Sequence, residues 1–522
     1  VAAWRTGLRF ETFLPPPEPA PEPGRIRFVG LPRPFDPARP DWQAADAPKL
    51  WRYNLHYFDF LGWEAFPPEQ KRRLVADWIA RVPVGATDAW EPYTLSLRIV
   101  NWCKYQLESG PGPGGGGLNH VAIASLAHQA AALEGDLEYH LLANHLLKNG
   151  KALAVAGLCL DGPAADRWLA TGLGILVAEA RAQVLPDGGH VERSPMYHCI
   201  VLEDYLDVVN LLARNPGRAD AATVEVLADT ARRAAVFLRT ILTGAGTIPL
   251  FNDAAHGITA PPGRLLAYAS RVLGPAAGLD VPLPDAVRID LPDSGFYGGR
   301  QGGDSLIVDC GPVGPDYQPG HTHCDTLSFE LHVAGVPVVV DSGTFDYEGG
   351  PFRHYLRSTA AHNTVRIDGE EQSEIWGQFR VARRARPVSA SFQPAGDGGW
   401  RFAGSHDGYR RLPGAPVHAR EIRHDGRGRW LIRDTVTGAG SHRVESFLHL
   451  HPAVTVERRG EREFRLVAPG VALRLAFGPT GRVLEATGYH CPRFGERLPN
   501  RALVLEHTGP LPVELTCGFE RL

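Results

Sequence analysis

The 522-residue chain has no excess of basic charge: 54 Lys and Arg stand against 58 Asp and Glu, a formal net charge of -4. A dedicated nucleic-acid binder carries a strongly basic domain, so that class is excluded as the main function, although a local basic surface is not. The chain also lacks an apolar run of the roughly 18 to 20 residues that span a bilayer. Its best stretch, Leu173 to Leu185, is broken by Glu179 and Arg181, and no transmembrane segment is expected. Paired cysteine spacings are missing as well. Cys103, Cys159, Cys199, Cys310, Cys324, Cys491 and Cys517 are scattered with no C-x-x-C, which signals neither a zinc ribbon nor a disulfide framework; buried, reduced thiols are expected. The opening VAAWRTGLRF has no charged region followed by an apolar one, so no secretory signal is visible and the compartment, periplasmic or cytoplasmic, stays open. Nothing in the sequence speaks to oligomeric state.

What is present is a globular composition, 44% hydrophobic and 21% charged, in a chain long enough for two large domains. Residues 1–46 include the proline-rich LPPPEPAPEPG and read as an extended surface arm. Over residues 47–285 apolar residues recur at helical spacing in successive blocks, among them EQKRRLVADWIARV, LNHVAIASLAHQAAALEG, RWLATGLGILVAEARAQV and TVEVLADTARRAAVFLRTIL. Short Gly/Pro breaks between them predict antiparallel helical hairpins in a ring or layered bundle. After Pro284 the texture changes to short β-rich runs such as SLIVDC, LSFELHVAGVPVVVDSG, RWLIRDTV and VALRLAFG. Residues 286–522 are therefore predicted to form stacked antiparallel sheets, making the whole an α+β multidomain chain.

Polar residues in apolar surroundings mark the candidate chemistry. LLANHLLKNGKAL places Asn144 and His145 inside a helical pattern, where an asparagine side chain competes with the backbone for partners. In DGGHVERSPMYH, Ser194 and Pro195 read as an N-cap and first helical residue. That puts Tyr197 in the first turn, where the helix dipole mildly favours a phenolate. GHTHCDTLSFEL carries His321 and His323 two residues apart, on one face if the segment is extended. Such a pair suits a proton-transfer or a metal site. Asp341 ends the strand VVVDSG, and His362 starts the next in RSTAAHNTVRIDG; with His323 these could ligate zinc, or the histidines could simply be hydrogen-bonded in a core. An Ala334-Gly335 turn would pair Asp341 near Ser328 and away from His323, so the HTHCD segment would have to fold back as a loop.

The order of these motifs, from WRYNLHYFDFLGW through NHLLKNGKAL, DGGHVERSPMYH, PLFND and GHTHCDTLSFEL to VVVDSGTFDY and RSTAAHNTVRIDG, resembles the heparinase II/III superfamily of polysaccharide lyases. The resemblance implies an N-terminal (α/α) toroid followed by a C-terminal antiparallel β-sandwich. It implies cleavage of an acidic, uronate-containing glycan by β-elimination, leaving 4,5-unsaturated uronate ends. Asn144 matches the residue that helps neutralise the substrate carboxylate, and Tyr197 and His321 match the catalytic tyrosine and histidine. His323, Asp341 and His362 fall where some members hold a structural zinc. Two positions depart from the pattern: Ala143, where a glycine commonly precedes the Asn-His pair, and Lys148, where an acidic residue is expected.

Arg98, His145, Glu192 and Trp376 are candidate substrate contacts. Arg380, Arg383, Arg384 and Arg386 of FRVARRARP could line an acidic-glycan groove, and Trp51, Tyr53 and Tyr57 could stack on sugars or pack. Two other readings compete. A glycoside hydrolase on a similar toroid would need two carboxylates, for which Glu192, Asp253 and Asp325 are available. A noncatalytic exopolysaccharide-binding or assembly protein would need no acid-base pair.

Overall fold

The computed structural model describes residues 3–110, 116–279 and 285–522; the change of texture at Pro284 lies outside them. Two compact units emerge. The first gathers the described residues of Val1–Val184, Cys199–Ala235 and Gly257–Val281, and the second those of Leu185–His198, Val236–His256 and Pro282–Leu522. Tyr197 thus belongs to the second unit, although it sits within the helical half of the sequence.

The N-terminal half is built from α1 (Lys49–Tyr57), α2 (Pro68–Arg81), α3 (Pro92–Ser109), α4 (His120–Glu134), α5 (Ala143–Cys159), α6 (Pro163–Gln183), α7 (Pro195–Arg214), α8 (Ala221–Ile241) and α9 (Pro262–Leu273). Local chemistry sets their ends. Helix α2 starts on Pro68, with Glu69 in its first turn and Arg81 in its last, matching the helix dipole. Helix α4 is capped by Asn119, whose side chain accepts from the Ala122 amide. Helices α5 and α6 meet through glycines. A Cβ at Gly172 would stand 2.4 Å from the Ala154 nitrogen and 2.5 Å from the Gly150 carbonyl, so only a bare backbone fits there.

The proline-rich start is not a free arm. Ala3–Trp4 pairs antiparallel with Leu160–Asp161, and Arg25–Phe28 forms a hairpin with Leu31–Pro34. Phe13, Leu14, Ile26, Phe28 and Trp42 are buried. The prolines hold the chain extended without internal hydrogen bonds, and the aromatics interspersed among them supply the apolar area that fixes it in place.

In the second unit a five-stranded antiparallel meander runs through Ala286–Leu291, Phe296–Gln301, Asp304–Asp309, Phe329–Val333 and Val336–Val339. Ala334 and Gly335, both at positive φ, make its last turn, and a bulge lies just before it between Leu331 and His332. An eight-stranded sheet takes the order Pro387–Pro394, Trp400–His406, Val417–His424, Arg429–Thr437, Val513–Arg521, Val471–Phe477, Glu463–Ala468 and Thr455–Arg458. Its strands alternate buried and open positions with period two, as in Val417–His424. A four-stranded sheet takes the order Val365–Ile367, Ser441–His449, Leu498–Pro510 and Arg482–His490, and Ile375–Trp376 pairs with Arg380–Val381 as a short separate ladder. Phe329, Phe402, Ile422, Ile432, Leu448 and Phe464 belong to one continuous core.

One polar cluster sits inside the eight-stranded sheet. Arg420 lies opposite Asp434 and donates to it twice, at 2.7 and 2.8 Å, while His418 and Ser446 hydrogen-bond the same carboxylate. All seven cysteines are buried. Among the described residues no helix is long and apolar enough to cross a membrane.

Candidate active site

Within the second unit, the turn that ends PLFND joins two distant segments. Ser194 caps α7 as predicted: its Oγ accepts from the Tyr197 amide at 3.2 Å and donates to the Asp253 carbonyl at 2.6 Å. Asn252 adopts a left-handed backbone, φ 57°, which asparagine tolerates better than most residues. Its amide group donates to the Arg193 carbonyl at 3.1 Å, and its Oδ1 accepts from the His323 amide at 2.9 Å. The Asp253 amide donates to the His321 carbonyl at 3.0 Å. The HTHCD segment is a loop, folded back as the strand register required.

The loop converges on the Asp253 carboxylate, which is fully buried. It receives His321 Nδ1 at 3.0 Å, His323 Nε2 at 2.8 Å and both terminal nitrogens of Arg353, one of them at 2.7 Å. Burial alone would raise the Asp253 pKa, but the charge and hydrogen bonds of Arg353 and the two histidines outweigh it and hold the group well below the usual carboxylate range. An ionised carboxylate only accepts, so both histidines must donate to it. His321 thereby carries a proton on Nδ1 and keeps Nε2 clear of Asp253; His323 carries its proton on Nε2. Burial pushes His323 down to about 3, so that ring is neutral.

The His321 ring stacks on that of Tyr197, with centroids 3.9 Å apart and planes 27° from parallel. The Tyr197 and Tyr347 hydroxyls are hydrogen-bonded at 3.1 Å, and the Arg353 guanidinium lies over the Tyr347 ring at 5.1 Å. Glu192 Oε2 is 3.5 Å from His321 Nε2. Two proton carriers, a phenol and a histidine held in one tautomer, are thus in ring contact beside a buried carboxylate-guanidinium pair. Such a pair can remove one proton and deliver another.

Other predicted residues take different places. Asn144 lies in the first turn of α5, not in mid-helix, and is buried. His145 is about one-third exposed, bonded through Nδ1 to Glu138 at 3.0 Å and packed on Tyr93. Arg98 is not available to a ligand: it is fully buried, donating to Gln129 and to the His56 and Ala89 carbonyls over the Trp78 ring. Lys148 is spent on Asp204 at 2.6 Å. Glu192 is buried, and Trp376 is 58% exposed with the Arg380 guanidinium over its ring. Arg383 pairs with Glu374, and Arg384 and Arg386 share Asp316. Trp51 packs in the core. Asp253, available on sequence as a hydrolytic carboxylate, is locked in its ion pair with Arg353 and has no open face for water.

The metal set fits in part. His323 Nδ1 and His362 Nε2 are buried nitrogens with no hydrogen-bond partner, on rings 5.2 Å apart. Asp341, expected as a third ligand, instead accepts from His362 Nδ1 at 2.8 Å. Among the described residues no three His, Cys, Asp or Glu side chains are arranged to hold a metal. Sequence reasoning missed Arg353 and Tyr347. PFRHYLRS reads as an ordinary amphipathic turn, and only the three-dimensional fold shows its arginine turned inward; Tyr347, six residues after Asp341 in DSGTFDYEG, carried a faint polar-aromatic signal.

The chain matches the family model "Heparinase II/III N-terminus" over residues 118–261 and "Heparinase II/III-like, C-terminal" over residues 284–511. It is 27% identical to FtsZ-localized protein C of Caulobacter vibrioides over 80% of this chain and 71% of that protein. It is 27% identical to the heparin-sulfate lyase of Pedobacter heparinus over 62% of this chain and 51% of the lyase. For the heparin-sulfate lyase of Bacteroides thetaiotaomicron the figures are 26%, 52% and 43%. The chain therefore spans about half the length of these lyases. A crystal structure of heparinase III superposes with a TM-score of 0.71 at 16% identity, over 93% of this chain and 79% of that one. Heparan sulfate lyase HepC from Pedobacter heparinus gives 0.63 at 19%, over 95% and 81%. The shared fold is the helical toroid with an antiparallel β-sandwich. Models that match both halves in order, on a fold of this kind, place the chain in the heparinase II/III family of polysaccharide lyases.

Proposed function

We propose that this protein cleaves an acidic polysaccharide at a 4-linked uronate by β-elimination, with Tyr197 and His321 as the acid-base pair. The observation that carries the reading is the stacked Tyr197–His321 pair, with His321 anchored through Nδ1 on an ionised Asp253. In the reaction a base takes the C5 proton, which is acidified by the adjacent carboxylate. The electron pair of that C–H bond becomes the C4–C5 double bond, the C4–O bond breaks, and the departing oxygen takes a proton from the acid. Tyr197 and His321 divide these two roles according to whether the C5 proton and the leaving oxygen lie on the same side of the ring. Asn144 is assigned the carboxylate, where an amide donor stabilises the charge that develops on it.

Each proton transfer is worth about a hundredfold to ten-thousandfold. Tyr197→Phe and His321→Ala are each expected to lower turnover by that order while leaving the melting temperature near that of the parent. Mass spectrometry of the digest tests the chemistry: at each cut elimination leaves the fragment that begins with the cleaved uronate one water lighter than hydrolysis does, and uronate-ended fragments at the hydrolytic mass would overturn the proposal.

A structural zinc belongs to the same proposal, held through His323 Nδ1 and His362 Nε2, with Asp341 orienting His362. A zinc held by these two nitrogens would brace the HTHCD loop and carry no step of the reaction. Elemental analysis of the purified protein should find one zinc per chain, with a lower melting temperature after chelation; no zinc and an unchanged melt would refute it.

The likeness to FtsZ-localized protein C favours a second reading, localisation with FtsZ without turnover of a glycan. Co-localisation with FtsZ together with no cleavage of any uronate glycan would support it over the lyase.

A further inference from the structure

A second cavity lies in the β-rich unit. It holds about 250 Å³ between the meander and the eight-stranded sheet and is lined by Arg300, Ser305, Phe392, Trp400, His424 and Trp430. A larger open groove of about 680 Å³ shares Trp400, His424 and Trp430 with it and continues across the strand ends. Sites for small ligands span about 300 to 1,000 Å³, so the two together offer room for sugar units.

Two of the lining side chains are unusual. Arg300 is 6% exposed, donates to the Leu242 carbonyl, and leaves its Nη2 buried without a hydrogen-bond partner. No carboxylate in the described residues pairs with it, and the charge of Arg239 acts against its own. Burying a guanidinium without a counter-charge is costly, and an anion would relieve that cost. His424 is also 6% exposed, and neither ring nitrogen has a partner, although the ring stacks on Trp430 at 5.0 Å. A neutral imidazole offers one donor and one acceptor, which is the pattern a sugar hydroxyl completes.

At the rim arginines and carboxylates alternate: Arg401 and Arg423 share the carboxylate of Glu421, Arg429 and Arg474 both reach Glu520, Arg474 also donates to Glu463, and Asp425 lines the groove. A guanidinium has five N–H groups, so several of these remain available to a ligand. Asp304 also lines the inner cavity, but its carboxylate accepts from the Ala334 amide and faces Arg521 at 3.7 Å. Trp400 stacks with Phe392 and lies 5.9 Å from His424, a small aromatic wall of the kind that sugar faces pack against.

We propose that this cavity is a second, noncatalytic saccharide site that takes an acidic sugar unit, its carboxylate or sulfate on Arg300 and its hydroxyls on His424. It is separate from the Tyr197–His321 pair in residues and in chemistry, since it holds no acid-base pair in ring contact. The choice of an acidic saccharide as occupant rests partly on the lyase reading, and the binding test does not depend on turnover.

The test is calorimetric titration of a hyaluronan hexasaccharide into the His321→Ala protein, which stops cleavage, beside the same protein carrying Arg300→Met or His424→Phe. Arg300→Met keeps nearly the same length and removes the guanidinium, and His424→Phe keeps an aromatic ring and removes both ring nitrogens. Two binding events are expected in the His321→Ala protein, one of them weakened at least tenfold by either added substitution. Arg423→Gln at the exposed rim, which poses no risk to folding, should weaken the same event several-fold and more so at low salt. The proposal is overturned if the isotherms of all variants coincide, or if neutral maltohexaose or inorganic sulfate alone competes as well as the acidic oligosaccharide. Absence of lyase activity with this binding intact would remove the catalytic reading and leave the second site standing.

Discussion

At the scale of residues, the protonation pattern of the site follows from one carboxylate. Asp253 stays ionised because Arg353 grips it from one side, and an ionised carboxylate can only accept. The tautomers of His321 and His323 follow from that fact alone. Tyr197 and the Ser194 cap were legible in SPMYH because capping chemistry is local. The role of Asp253 was not, since its partners come from positions 321, 323 and 353 and no spacing rule connects them. Arg98 was misread for a similar reason: a cation in the middle of a helix looks available until its carbonyl partners are seen.

Ala143 carries a local consequence. It adopts φ 50° at the start of α5, directly after Leu142 at φ 59°. A left-handed backbone costs a residue with a Cβ about 1–2 kcal/mol. Ala143→Gly should therefore stabilise the protein by about 1 kcal/mol, less whatever the freer unfolded chain takes back. Urea denaturation checks this, and a midpoint shifted downward would contradict it.

At the scale of elements, period-3.6 blocks found most of the helices to within a few residues, as with α2, α4, α6 and α8. The start of α5 was misplaced because LEYHLLAN continues the apolar pattern before the helix begins, and the turn before Ala143 depends on backbone angles that hydrophobicity does not encode. In the sheets, alternation was readable strand by strand, but the pairing order was not, since it depends on contacts between distant segments.

The eight-stranded sheet supplies the element-scale prediction. Burial would raise the Asp434 pKa, yet the charge of Arg420 with the His418 and Arg420 hydrogen bonds drives it below its ordinary value. A group whose pKa falls on folding contributes stability above its unfolded pKa, about 3.9, and that stability is lost as the pH drops toward the folded value. Asp434→Asn should thus flatten the decline of melting temperature below about pH 4. At neutral pH it should cost about 3–5 kcal/mol, because Arg420 is left buried and unpaired. The double variant Arg420→Met/Asp434→Leu should recover most of that loss. A single variant with a parental melt at pH 7 would contradict the assignment.

At the scale of the whole molecule, the switch from helical to strand texture near residue 285 was visible in composition, and it corresponds to a helix-rich N-terminal half and a sheet-rich C-terminal half. Two features were not visible. The proline-rich start packs into the first unit, because aromatics scattered among prolines do not register as periodic. The segments Leu185–His198 and Val236–His256 leave the helical half and join the β-rich unit, carrying Tyr197 and Asp253 with them. That exchange of segments brings Tyr197 and His321 into ring contact within one unit.

The most direct test of the central claim is ultraviolet absorbance while the purified protein is incubated with a panel of uronate polysaccharides, beside Tyr197→Phe and His321→Ala. Elimination creates a conjugated 4,5-unsaturated uronate, so a rise on at least one glycan, abolished in both variants, is the result expected. No rise on any glycan while reducing ends accumulate, or a rise that survives in both variants, would contradict the assignment of Tyr197 and His321 as the acid-base pair of a lyase.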